Sequence, residues 1–284
     1  MPRLDIRKTY KLFVGGAFPR SESGRSYPVL DATGALLAYA AQASRKDLRD
    51  AVVAARQAFA GWSAATAYNR GQVLYRVAEL MEGRAAQFAA EVAAAEGVRP
   101  RRAREIVAAA IDRWVWYAGW SDKVAQVAGA ANPVAGPYFN FSVPEPTGVV
   151  VTLAPQRCSL LGLVSVLAPV IVTGNTSVIV SSEPHPLPAV ALAEVLATSD
   201  VPAGVVNVLT GRLAELAPVA AGHMDVNAID LTGAPAADRP ALERAAAGNL
   251  KRAFHGDEDW DRPPGTRRLL ATLEIKTVWH PVGT

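Results

Sequence analysis

The 284 residues are half hydrophobic and 19% charged, with 29 Lys+Arg against 26 Asp+Glu and a formal net charge of +3. This composition excludes disordered and fibrous classes, and so small a charge on this length is no electrostatic footprint for nucleic acid. One cysteine, Cys158, excludes a disulfide framework and a multi-thiolate metal site, and four scattered histidines (His185, His223, His255, His280) show no zinc-ligand spacing.

Taken in chain order, Met1–Lys8 alternates charged with apolar residues and lacks the apolar centre of a signal peptide. Leu12–Phe18 predicts a hairpin strand and turn, and Tyr27–Leu30 and Ala38–Ala40 read as extended. Ser44 followed by Asp47 is a helix start, because the hydroxyl caps orphan amides and the carboxylate favours the positive helix end. Beyond it Leu48, Ala51, Val52, Ala55, Ala58 and Phe59 share one helical face. Further helices are expected over about 68–95 and 101–127. The cluster Arg99, Arg101, Arg102 and Arg104 reads as a solvated first turn rather than a phosphate site. Trp114, Trp116, Tyr117 and Trp120, at helical spacing, suit core or interface packing better than a platform for stacking bases.

From Thr147 the texture changes. Gly148–Leu153 is a continuous run with β-branched residues, as a strand buried on both faces requires. Strands follow at Ser177–Val180, Val205–Leu209 and Asn227–Leu231, separated by helices near 159–172, 188–197 and 214–221, with a last helix near 240–249. Strand alternating with helix through short links specifies a parallel, doubly wound α/β sheet of Rossmann-like type. Cys158–Thr173 is the most apolar stretch, but it falls short of the roughly 20 residues of a membrane span, so a buried helix and a cytoplasmic protein are expected. An acidic loop carries Asp257, Glu258, Asp259 and Asp261. The chain then ends in an alternating strand from Leu269 to Trp279, which needs a partner sheet within this chain or in another.

An ordered series of segments now resembles the aldehyde dehydrogenase superfamily, from about Lys11 to Phe254 and again over the last strand. It includes Phe13-Val14-Gly15-Gly16, Asp47 through Trp62, Tyr117 through Lys123, Glu145 through Val150, Gly174-Asn175-Thr176, Gly204 through Asn207, Leu231-Thr232-Gly233 and Asn249 through Arg252. The resemblance implies a coenzyme-binding unit over residues 1–132 and 147–254, with N-terminal helices on the Rossmann-like sheet. It also implies oligomerisation strands, a β-hairpin over 133–146 and a C-terminal strand over 268–284. Residues 255–267 form a linker where the family carries its catalytic domain.

The same resemblance judges the chemistry residue by residue. The family's nucleophilic cysteine and general-base glutamate have no counterpart, because His255-Gly256-Asp257-Glu258 stands where the glutamate segment should follow Phe254. Arg157 occupies the position of the oxyanion-holding asparagine, and Cys158 that of a neighbouring aromatic. An arginine does not reproduce a neutral amide donor, and Cys158, alone at the start of an apolar helix, reads as structural although a helix N-terminus lowers a thiol pKa. No catalytic residue is therefore expected in this chain. Of the family's coenzyme contacts, Glu183 persists while its lysine partner is Val180. The family's Thr-Gly-Ser is Thr232-Gly233-Ala234, Asp238 replaces a glycine, and the loop after Thr210-Gly211, which continues Arg212-Leu213-Ala214, loses a second one. Glu183, Thr232, Gly233 and Ala234 are thus a vestigial site for NAD or NADP if any coenzyme is bound.

The strands look intact, so the resemblance implies a hetero-oligomer with a full-length aldehyde dehydrogenase, with contacts through Tyr138, Phe139, Phe141, Ile275, Val278 and Trp279. Three other readings stay open: an NAD(P) or anion-binding module that uses Glu183, Thr232 and Gly233 with Arg157 in place of the family's chemistry, an aldehyde oxidoreductase that completes a shared active site or uses Cys158, and a truncated relic that folds without a selected role.

Overall fold

The computed structural model describes residues 7–283; of the charge-alternating stretch Met1–Lys8, residues 1–6 lie outside the described residues. Strands β1 (Thr9–Tyr10), β2 (Ser26–Leu30) and β3 (Leu36–Ala41) form an N-terminal sheet of order β1-β3-β2. The hairpin at 12–18 turns on Gly15 and Gly16, whose φ values of +60° and +80° are open to glycine at little steric cost. Phe13 then exchanges backbone hydrogen bonds of 2.9 and 2.7 Å with Val208, which ties this entry to the edge of the main sheet.

Helix α1 (Arg45–Ala64) opens on a complete capping box: Ser44 Oγ accepts from the Lys46 and Asp47 amides, and the Asp47 carboxylate accepts from the Ser44 amide at 2.8 Å. The single helix expected over 68–95 is two, α2 (Ala67–Gly83) and α3 (Ala85–Glu96), because Arg84, just after Gly83, leaves helical geometry at φ −114°, ψ 12°. The next stretch divides into α4 (Pro100–Ala118) and α5 (Val124–Ala128). Pro100 sits in the first turn, where a missing N–H costs nothing, and the chain turns after Gly119. Trp114 and Tyr117 are fully buried and the rings of Trp116 and Trp120 lie 5.5 Å apart, so this aromatic set packs rather than stacks on a ligand.

The hairpin β4 (Ala130–Asn132) and β5 (Tyr138–Pro146) leads into β6 (Val149–Leu153), α6 (Leu161–Val172), β7 (Thr176–Val180), α7 (Leu187–Leu196) and β8 (Val206–Leu209). Then come α8 (Leu213–Gly222), β9 (Ala228–Asp230), α9 (Arg239–Ala246), β10 (Arg252–Phe254), α10 (Arg267–Ala271) and β11 (Leu273–Pro281). The main sheet has the order β10-β9-β6-β7-β8, and every pair in it is parallel. Counted from β6, this is the doubly wound 3-2-1-4-5 order, whose direction reverses between β6 and its neighbours β7 and β9. One face packs on α1 and α8 through Leu48, Val52, Val151, Val178 and Leu216; the other packs on α2, α4, α6 and α7 through Leu74, Trp114, Leu163, Ile179 and Leu192. Each such side chain, fully buried, contributes about 1.5–3 kcal/mol.

The strand expected from Leu269 begins instead at Leu273. Residues Arg267–Ala271 coil into a helical turn that buries Leu269 and turns Arg268 towards β9. Strand β11 then pairs antiparallel with β5 over its whole length, from Leu273 opposite Pro146 to Pro281 opposite Tyr138, in a sheet of order β11-β5-β4. Its inner edge therefore finds a partner within the chain, and its outer edge carries no strand among the described residues. Alternation divides the six expected contact residues between two faces. Tyr138 and Trp279, edge to face at 5.8 Å, share one face with Ile275; Phe139 and Phe141, 5.4 Å apart, share the other with Val278.

The small sheet is clipped to the main one by Arg252 on β10, which holds Glu274 on β11 with two hydrogen bonds of 2.7 Å; Thr147 Oγ1 donates a third at 2.7 Å. These donors, Arg252 foremost and then Thr147, hold the Glu274 carboxyl at about 2 against an ordinary 4.5. A carboxylate depressed in this way stabilises the fold above its ordinary pKa, and the contribution disappears as pH falls through about 2. Because the pair is exposed, that contribution is below about 1 kcal/mol. In Arg252→Ala the Glu274 midpoint should rise towards 4.5 in a carboxyl NMR titration; an unmoved midpoint would assign the depression to Thr147.

Candidate functional site

The crevice lies beyond the carboxyl ends of β6 and β9, where the order of the sheet reverses and ligands of doubly wound folds bind. After β6 the chain continues through Pro155, Gln156, Arg157 and Cys158 into α6. After β7 it reaches Glu183, and after β9 it reaches Thr232, Gly233 and Ala234. Gln156 joins two of these loops: its Nε2 donates to Ala154 O at 2.7 Å, its Oε1 accepts from the Glu183 amide at 2.9 Å, and its carbonyl accepts from Ser182 Oγ at 2.8 Å.

Each of the four residues expected at a coenzyme is already engaged. Glu183 Oε1 pairs with Arg212 Nη1 at 2.6 Å, and Oε2 accepts from the Leu213 amide at 2.9 Å, so the carboxylate caps the positive end of α8. Thr232 Oγ1 donates to Asp230 and accepts from the Gly256 amide at 3.2 Å and from Arg268 Nη2 at 3.0 Å. The Gly233 amide donates to Leu153 O at 2.8 Å. A Cβ there would stand 2.0 Å from Ala154 O, so the glycine is required for the close approach of two loops. Ala234 has no hydroxyl, and its amide donates to Leu231 O at 2.9 Å. As these side chains stand, the set does not fit the ribose and pyrophosphate of a dinucleotide.

The acidic segment is an ordered cover. Arg268 is buried and joins Asp230 at 2.6 Å, Glu258 at 2.8 Å and the Trp260 ring at 5.3 Å. Arg113 on α4, also buried, donates to the Trp260 and Arg262 carbonyls at 2.9 and 3.0 Å, and Arg102 grips Asp261 with two bonds. This strap crosses the mouth of the crevice at the ends of β6 and β9. A shallow, open depression of about 320 Å³ lies between Arg157, Cys158, Thr232 and Gly233 on one side and Asp257, Glu258 and Trp260 on the other. An outer cleft of about 460 Å³ lies between α8 and α9, lined by Glu183 and Ala234. Thr232 and Gly233 therefore line one space, and Glu183 and Ala234 the other.

Arg157 is exposed and makes no hydrogen bond or ion pair among the described residues. Cys158 accepts a hydrogen bond from the Gly162 amide at 3.2 Å, but burial, followed by the nearby Glu96 carboxylate, pushes its thiol up to about 11. Glu96 accepts from the Ser159 amide and hydroxyl, both at 2.7 Å, which fixes that charge beside the thiol. Burial and a carboxylate thus override the helix end. At neutral pH Cys158 should react with iodoacetamide about a hundredfold more slowly than an unperturbed thiol, read by mass spectrometry. A rate like that of free cysteine would restore it as a candidate nucleophile.

The residues missed from sequence are Asp230 and Arg268. The available signal was Asp230 itself, a lone carboxylate in the apolar run Ala228-Ile229-Asp230-Leu231, since a buried charge requires a partner. Among the described residues no group of three or more His, Cys, Asp or Glu could hold a metal ion, and no helix is long and apolar enough to cross a membrane.

Comparison with known proteins places the site in context. The model of the aldehyde dehydrogenase family matches residues 18–255. Human retinal dehydrogenase 2 is 34% identical over 257 residues, covering 88% of this chain and 49% of that protein. An aldehyde dehydrogenase of Alternaria alternata is 33% identical over 85% of this chain and 48% of its own length. Among solved structures, PnpE from Pseudomonas sp. WBC-3 superposes with a TM-score of 0.83 at 30% identity, covering 87% of this chain and 50% of that one. HpcC from Thermus thermophilus gives 0.81 at 32% identity, covering 87% and 48%. The chain spans about half the length of the curated relatives it matches.

Proposed function

The chain belongs to the aldehyde dehydrogenase family, and on that premise we propose that it is a non-catalytic structural or regulatory subunit, which pairs through its small sheet with a complete member of the family. The observation that carries this reading is β11, nine residues long, with an unpaired outer edge and exposed Tyr138, Phe139, Ile275 and Trp279 on the two faces of its sheet. Such an edge is a template for strand addition. The crevice supports the non-catalytic part: Cys158 is held protonated, Arg157 offers no neutral amide, and the coenzyme groups are spent on the chain's own contacts. A cytoplasmic setting belongs to the same reading, since one thiol forms no disulfide within the chain.

The test is the composition and native mass of the complex that carries the tagged chain when purified from its own cells. A stoichiometric full-length aldehyde dehydrogenase supports the proposal. A monomer or a homo-oligomer without that partner removes it.

A further inference from the structure

We propose that the pocket beneath the strap, between α4, α6 and residues 258–268, binds a small, singly charged oxyanion through Arg113, Tyr117 and Arg268. Arg113 is buried, yet it has no carboxylate partner among the described residues. Its guanidinium donates only to neutral acceptors: Ser165 Oγ at 2.6 Å and the Trp260 and Arg262 carbonyls at 2.9 and 3.0 Å. Buried cations are ordinarily paired, because neutral acceptors do not fully offset the loss of hydration. Asp261 does not serve as the partner, since Arg102 holds it with two bonds.

Two more donors on the lining of this pocket lack acceptors. The hydroxyl of buried Tyr117 makes no hydrogen bond among the described residues, and Arg268 Nε is buried without a partner. Burial pushes the Tyr117 hydroxyl up to about 12, while Arg113 and Arg268 both act to lower it, so the two guanidiniums converge on that oxygen. Every unmatched group here is a donor, which selects a ligand rich in acceptors. The charge balance sets its valence. Arg113, Arg262, Arg267 and Arg268 face three carboxylates, Asp230, Glu258 and Asp259, so one positive charge is left over. A second negative charge on the ligand would meet Glu258 with no cation left to balance it. The pocket has about 160 Å³, below the roughly 300–1,000 Å³ of sites for drug-sized ligands, so its occupant is small.

The experiment is calorimetric titration of the full chain with sodium acetate, nitrate and phosphate, at mildly alkaline pH and fixed ionic strength. Its outcome is independent of whether the small sheet pairs with another protein. Acetate and nitrate should saturate one site in the millimolar range, with doubly charged phosphate at least about tenfold weaker. Acetate tighter than nitrate supports a carboxylate ligand whose carbon tail meets Trp260 and Pro264; the reverse order supports an inorganic anion. Arg113→Gln should abolish binding, and Tyr117→Phe should weaken it by about tenfold or more. Tyr117→Phe removes only a hydroxyl that bonds to nothing, so it keeps the fold and carries the test even where Arg113→Gln does not fold. Absence of acetate and nitrate binding at tens of millimolar overturns the proposal. So does phosphate binding as tightly as acetate, or an unchanged affinity in Tyr117→Phe.

Discussion

Replacing Arg268 with alanine should lower the thermal unfolding midpoint by roughly 10 °C, the largest single-residue effect outside the apolar core. The side chain joins Asp230, which is completely buried on β9, at 2.6 Å, and its loss leaves that carboxylate with only the Thr232 amide and hydroxyl. Removing one member of a buried ion pair costs about 3–5 kcal/mol, because the remaining charge is desolvated without compensation. For a chain of this size each kcal/mol moves the midpoint by about 2–4 °C. Burial works against the charge on Arg268, but Asp230 and then Glu258 outweigh it and raise its pKa, so the guanidinium is charged at every accessible pH. Glu258 is held below the ordinary carboxylate value: burial raises its pKa, and the Arg268 contact overrides that. Its share of stability is therefore present at neutral pH and fades as pH falls through that depressed value. Adding Asp230→Asn to Arg268→Ala should recover more than half of the loss in a thermal melt. A double variant no better than the single one would assign the effect to lost packing on Trp260 instead.

The same pair marks where sequence reading ran out. Strands β6, β7, β8 and β9 were legible because burial on both faces demands unbroken apolar, β-branched runs, as in Val149-Val150-Val151. Strand β10 was not, since Arg252-Ala253-Phe254 is three residues at an edge with two of them exposed. The residues at the crevice were legible by position, but their partners were not. Arg268 lies 38 residues from Asp230, and Arg212 lies 29 from Glu183, so local pattern carries no information about either contact. The acidic segment likewise reads only as a loop until Arg102, Arg113 and Arg268 are seen to hold it. For Cys158 the sequence showed a helix start, whereas burial and the fixed Glu96 charge decide its proton.

Val278→Asp should strip a full-length aldehyde dehydrogenase partner from the purified chain while the main sheet stays folded. Val278 is half-buried opposite Phe141, on the face it shares with Phe139, so the new carboxylate would sit in the apolar centre of that face. Desolvating an unpaired charge in an interface costs several kcal/mol, enough to reduce a stoichiometric complex to a trace. The core between α1, α4 and the parallel sheet contains none of these residues, so the variant alone should melt within about 2 °C of wild type, as surface changes do. Trp279→Asp places the same charge on the opposite face, beside Tyr138. Loss of partner in both variants indicates a strand that adds edge to edge and is then covered on both sides. Loss in only one indicates that the small sheet stacks by that face alone. If both variants retain equal amounts of partner, the sheet is not the contact, and the exposed aromatics need another explanation.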